Sequence, residues 1–168
     1  GKVGFSLGKM FAESGLPLTG YYSRQREAAQ EAAGFTGTRA YSDLCELVQD
    51  SDAIFLTVPD RAITPVYLEL RSFSLSGKQI CHCSGALSAR DAFPGIEETG
   101  ALGLSIHPLF PVSSRYDSYR ELADAFFCLE GEKSAIPAWK TAGVLRLHGA
   151  DHRCSGQAAL SCGLRHGE

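Results

Sequence analysis

No stretch of the chain approaches the ~20 consecutive apolar residues of a membrane-spanning helix, and no signal-peptide pattern opens it. No basic stripe is present either. The 16 Lys and Arg residues are well mixed with 19 Asp and Glu, for a net charge of −3, which removes the electrostatic footprint of a nucleic-acid binder. Six cysteines occur, at Cys45, Cys81, Cys83, Cys128, Cys154 and Cys162, but none forms a C-x-x-C pair. Three lie in apolar, strand-like runs, so they read as buried reduced thiols rather than as a disulfide framework or zinc site. Internal repeats and low-complexity tracts are absent. These exclusions leave a cytoplasmic protein with no membrane or nucleic-acid partner, and its 168 residues suffice for one domain with a real core.

Within those bounds, short apolar runs alternate with amphipathic segments. Val3, Leu7, Met10 and Phe11 share one face of a helix that Gly15-Leu16-Pro17 stops. Leu18 to Tyr22 reads as a strand, Arg26 to Ala33 as a helix ended by Gly34, and Thr38 to Tyr41 as a short strand. Ser42-Asp43 caps a helix through Leu44, Leu47 and Val48. Ala53 to Val58 is apolar throughout, as suits a strand covered on both faces of a parallel sheet. Further strands are expected at Gln79–Cys83, Leu102–Ile106 and Ala125–Leu129. Helices are expected after Pro59-Asp60 and from Pro137 to Leu147. This rhythm predicts an α/β domain over residues 1–150 with a doubly wound parallel sheet. Residues 151–168 show no periodicity and read as an irregular tail.

In an open parallel sheet, ligands bind beyond the carboxyl ends of the strands. Four stretches lie there. Gly1-Lys2-Val3-Gly4 has the spacing of the second and third glycines of G-x-G-x-x-G, whose helix N-terminus faces a pyrophosphate; an ordinary tight turn is the other reading. The strand and glycine that would come before it are not in the chain, so the first strand is expected to be truncated. At the end of the second strand, an NAD enzyme usually places a carboxylate. This chain has Ser23, Arg24 and Arg26 instead, which favours the 2′-phosphate of NADP; a solvated helix start would look the same. Val58, Pro59 and Asp60 lie beside the expected nicotinamide, although Asp60 also suits a helix cap. Ser84 and His107 follow two strands and are expected on the rim of the same crevice. His107 is a candidate general acid or base, or a structural histidine. No second acid or base is clearly its partner, and no His or Cys spacing fits a metal site.

Gly1-Lys2-Val3-Gly4, Tyr22-Ser23-Arg24, Val58 to Ile63, His82-Cys83-Ser84-Gly85-Ala86-Leu87 and Ser105-Ile106-His107-Pro108-Leu109 carry a resemblance, in order and spacing, from residue 1 to about Gly131. Together they resemble the Rossmann-like proteins described as short-subunit dehydrogenase-like oxidoreductases, distant relatives of pyrroline-5-carboxylate reductase and prephenate dehydrogenase. The resemblance implies an N-terminal NADP-binding Rossmann-like domain acting on an unknown small-molecule substrate. It also implies a C-terminal helical domain that makes a homodimer in the full-length form. That helical domain is expected to be absent here. The family would carry Lys-x-x-Tyr-His-Ala-Ala where this chain reads Gly156 to His166. One nucleotide later, codon degeneracy permits Lys-Arg-Arg-Tyr-His-Ala-Ala-Cys-Val-Met, so the tail reads as frameshifted. Two functions stay open: the cofactor domain of an NADP-dependent oxidoreductase, inactive alone, and a non-catalytic NADP-binding sensor or scaffold.

Overall fold

The computed structural model describes residues 1–147. Seven helices and seven strands alternate through them. They run α1 (Lys2–Glu13), β1 (Gly20–Tyr22), α2 (Arg26–Thr36), β2 (Arg39–Tyr41), α3 (Leu44–Asp50), β3 (Ala53–Leu56) and α4 (Asp60–Leu70), then β4 (Gln79–His82), α5 (Ala89–Ala92), β5 (Leu102–Pro108), α6 (Ser118–Leu122), β6 (Phe126–Gly131), α7 (Ile136–Thr141) and β7 (Arg146–Leu147). A single 3-10 turn, Ile96–Thr99, precedes β5. Strands β1 and β2 form one parallel pair, and β3-β4-β5-β6-β7 form a second sheet in that order.

The larger sheet is covered on both faces, as its apolar strands require. Alternation along β3 sends Ile54 and Leu56 into one apolar layer with Ile63, Tyr67 and Leu70 of α4 and with Ile80 and Phe93. Phe55 points the other way, into a layer with Leu7, Met10 and Phe11 of α1, Leu104 and Ile106 of β5, and Trp139 of α7. Phe11, Phe55 and Trp139 meet edge-on or tilted, with ring centroids 5.4–6.0 Å apart. Full burial of each large side chain in these layers contributes roughly 1.5–3 kcal/mol.

Several local expectations need correction. Helix α2 runs through Gly34 and ends at Gly37, whose φ of 71° is the left-handed cap; Gly34 has open space around its Cα and is merely tolerated. The Thr36 hydroxyl donates to the Ala32 carbonyl, which helps the last turn past Gly34. Asp43 caps α3, accepting from the Cys45 amide at 2.8 Å. Pro59, not Asp60, is the N-cap of α4, and Asp60 sits in its first turn, where the helix dipole favours a carboxylate. The helix from Pro137 stops at Thr141, since Gly143 takes φ 67° and the chain turns into β7.

The sheet is mostly parallel rather than wholly so. Strand β6 pairs antiparallel with β5, Pro108 opposite Phe127. The connection over residues 109–125 lays α6 on α1 instead of crossing the sheet, so the chain re-enters at the end it left. Cys45, Cys81 and Cys83 are free thiols, the last two buried, while Cys154 and Cys162 lie outside the described residues.

Strands β1 and β3 belong to separate sheets and each pairs on one side only, so each leaves an edge of unpaired amides and carbonyls. Such edges template further pairing. The 168-residue chain is therefore expected to self-associate, with a weight-average mass in sedimentation velocity that rises over the micromolar range. A concentration-independent monomer with a cooperative melt would contradict this.

Candidate functional site

Helix α1 begins at Lys2 with Gly1 as its N-cap, and no side chain caps the first-turn amides. Those amides of Lys2, Val3 and Gly4 point out of the helix start as ready donors. Gly4 is buried directly against Thr57 at the end of β3: a Cβ there would lie 2.5 Å from Thr57 Oγ1. One turn on, a Cβ on Gly8 would fall on the Tyr21 hydroxyl, which donates to the Gly4 carbonyl at 3.4 Å. Burial pushes the Tyr21 phenol up to about 12, so it stays a neutral donor. Gly4 and Gly8 thus let α1 settle between the ends of β1 and β3. The role of Gly8, and the seating of Gly4 against Thr57, are contributions that spacing alone did not reveal.

At the end of β1, Ser23 Oγ accepts from the Gln25 amide at 3.2 Å and shapes the turn into α2. Arg26 is exposed at the first position of α2. The Arg24 guanidinium donates to Glu69 of α4 at 2.9 Å, an exposed ion pair bridging 45 positions. Glu69 was invisible to sequence reasoning, because only the fold brings the last turn of α4 to the end of β1. At the end of β3, Val58 is 36% exposed and Pro59 leads into α4.

The loop after β4 is held by two histidines. His82 Nδ1 accepts from the Ser84 amide at 3.2 Å. His107 Nδ1 donates to the Cys83 carbonyl at 3.0 Å, and its other nitrogen lies 2.7 Å from where a Gly85 Cβ would stand. Ser84 Oγ accepts from the Ala86 amide at 3.1 Å, and Ser105 Oγ donates to the Ser84 carbonyl at 3.5 Å. Ser84 and His107 are brought to one place as expected, but each is only 4% exposed, beneath the loop rather than on an open rim. Burial lowers His82 to about 4; the Ser88 backbone and Asp60 oppose that, and His107 adds to it. Burial raises Cys81 and pushes Cys83 up to about 12, so neither is a thiolate.

Among the described residues no group of His, Cys, Asp and Glu could hold a metal ion, and no helix is long and apolar enough to cross a membrane. A shallow pocket lined by Met10, Glu13, Ser14, Tyr119, Arg120 and Ala123 lies at the far end of α1, away from the strand ends.

A helix start seated by glycine at the end of a parallel strand, in a two-faced α/β sheet, defines a Rossmann-type domain. The chain belongs to the Rossmann-like domain family, whose model matches residues 1–108. No curated protein matches it in sequence. Among solved structures it is similar to protein TM1727 from Thermotoga maritima, at 28% identity and TM-score 0.58, covering 83% of this chain and 52% of that one. It is also similar to 3-hydroxyisobutyrate dehydrogenase from Mycobacterium tuberculosis, at 18% identity and TM-score 0.75, covering 97% and 56%. A third is the reductive aminase from Aspergillus terreus in complex with NADPH and ethyl levulinate, at 17% identity and TM-score 0.69, covering 96% and 55%. This chain spans little more than half the length of each.

Proposed function

We propose that this chain is the NADP-binding domain of an oxidoreductase acting on a small molecule. The observation that carries the reading is the first turn of α1: donor amides with no side-chain cap, and Gly4 so close to Thr57 that no side chain intrudes. A pyrophosphate fits that cradle. At the neighbouring strand end the chain offers Ser23, Arg24 and Arg26 and no carboxylate of its own, which suits a 2′-phosphate. The solved reductive aminase with NADPH supports the same cofactor by likeness of fold.

When bound, the nicotinamide supplies the hydride chemistry. The chain's own residues bind and orient. Lys2, Val3 and Gly4 would hold the pyrophosphate, Arg24 and Ser23 would hold the 2′-phosphate with Arg26 beside them, and Val58, Pro59 and Asp60 at the end of β3 would bind the nicotinamide end. His107 and Ser84 are the groups for proton transfer on the substrate side. A helical domain in a longer protein would supply the substrate's other wall and a homodimer contact. Support for that comes from solved structures of which this chain spans only 52–56%.

A second reading, a non-catalytic NADP sensor or scaffold, is favoured by one observation: Ser84 and His107 are each 4% exposed. Either way this chain alone should bind nucleotide without turning over substrate.

The test is Gly4→Val. The added side chain would meet Thr57 and cover the first-turn amides. NADPH affinity should fall at least about tenfold, the loss of one or more charge-assisted hydrogen bonds. Overpacking should cost about 1–3 kcal/mol of stability as well, so a melt must show the variant folded at the assay temperature. A folded Gly4→Val with unchanged NADPH affinity would remove the nucleotide from this turn.

A further inference from the structure

Arg24 does not stand alone at the end of β1. Its guanidinium is already engaged by Glu69 Oε2 at 2.9 Å. The neighbouring cation Arg71, the C-cap of α4, is committed elsewhere, to Glu98 at 2.8 Å. Tyr22, two residues before Arg24, and Val66, three before Glu69, pack against the same apolar cluster. The two charges meet where these two segments border that shared cluster.

We propose that Glu69 is a specificity-setting residue: it holds Arg24 in a displaceable carboxylate pair, and the cofactor's 2′-phosphate must replace it. This rests on the reading of Arg24 as the 2′-phosphate contact. The chemistry makes the exchange selective. A phosphomonoester carries close to two negative charges near neutral pH and outcompetes a single carboxylate for a guanidinium. A ribose 2′-hydroxyl is neutral and cannot. NADP thus binds by exchanging one anion for another on Arg24, whereas NAD binds with the Arg24–Glu69 pair intact. The pair is exposed, 77% and 44% at the two side chains, and so weak enough to open. Glu69 consequently tempers the preference for NADP that Arg24 creates.

The experiment is a titration of NADPH and NADH into the 168-residue chain and its Glu69→Gln, Arg24→Ala and doubly substituted variants, at low and at moderate salt. Glu69→Gln should tighten NADPH about two- to fivefold at low salt, less at moderate salt, and leave NADH within error. In the Arg24→Ala background the same substitution should do nothing to the NADPH-to-NADH ratio. A ratio unmoved by Glu69→Gln, while Arg24→Ala still lowers it, overturns this inference alone. A shift of equal size with and without Arg24 overturns it too, since Glu69 would then act by direct repulsion. A ratio unmoved by Arg24→Ala, or no binding of either nucleotide by any variant, overturns the 2′-phosphate reading and this inference together.

Discussion

Acidification from pH 7 to pH 4 should remove on the order of 3 kcal/mol of folding stability through a single residue, His82. Its side chain is fully buried, and burial lowers its pKa from 6.5 to about 4. Above about pH 6.5 the imidazole is neutral in both folded and unfolded chains, and its contribution is fully present. Between 6.5 and 4 the unfolded chain takes up a proton that the folded one refuses, so stability falls as the pH falls. Below about 4 the folded chain is protonated as well, and the loss levels off. Protonation would turn Nδ1 from the acceptor of the Ser84 amide into a donor facing it, so the loop over His107 should loosen in the same window. Asp60 and His107 are the charged and titratable neighbours that modulate the value. Urea unfolding at pH 7.0 and 4.5 for the parent and His82→Gln measures the effect. The variant lacks the titration and should show a flatter pH dependence even if its stability at pH 7 is lower. Identical slopes would show that His82 does not carry the acid sensitivity.

Replacing Arg24 by Ala should weaken NADPH by about ten- to a hundredfold and NADH by less than about twofold. Losing a charge-assisted contact to a phosphate costs about 1.5–3 kcal/mol. Its exposure and its standing ion pair with Glu69 place the expectation at the tenfold end, because part of the contact's strength is spent on displacing a carboxylate. Equal weakening of both nucleotides would show that Arg24 does not read the 2′-phosphate.

Much of this arrangement was legible in the linear chain, because periodicity and strand ends are local properties. Val3, Leu7, Met10 and Phe11 mark the buried face of α1, the unbroken apolar run from Ala53 marks a strand covered on both sides, and Asp43 announces its cap. What was not legible depends on tertiary contacts. Gly34 and Gly37 are both plausible helix stops, and only the backbone angle at Gly37 decides between them. The direction of β6 follows from where α6 packs, which nothing in residues 109–125 declares. Glu69 lies far along the chain from Arg24 and meets it only through the seating of α4. Strand-end position places Ser84 and His107 at the ends of neighbouring strands, yet it could not show that the chain folds Gly85 down over the His107 ring.

The central claim, that the first turn of α1 and the end of β1 hold NADP, is tested most directly by calorimetric titration of the chain with NADPH and with NADH under identical conditions. Binding of NADPH should be saturable and one-to-one, at least about fivefold tighter than that of NADH, with the difference shrinking as salt rises. Equal affinities, or no binding of NADPH to a chain shown to be folded, would contradict it.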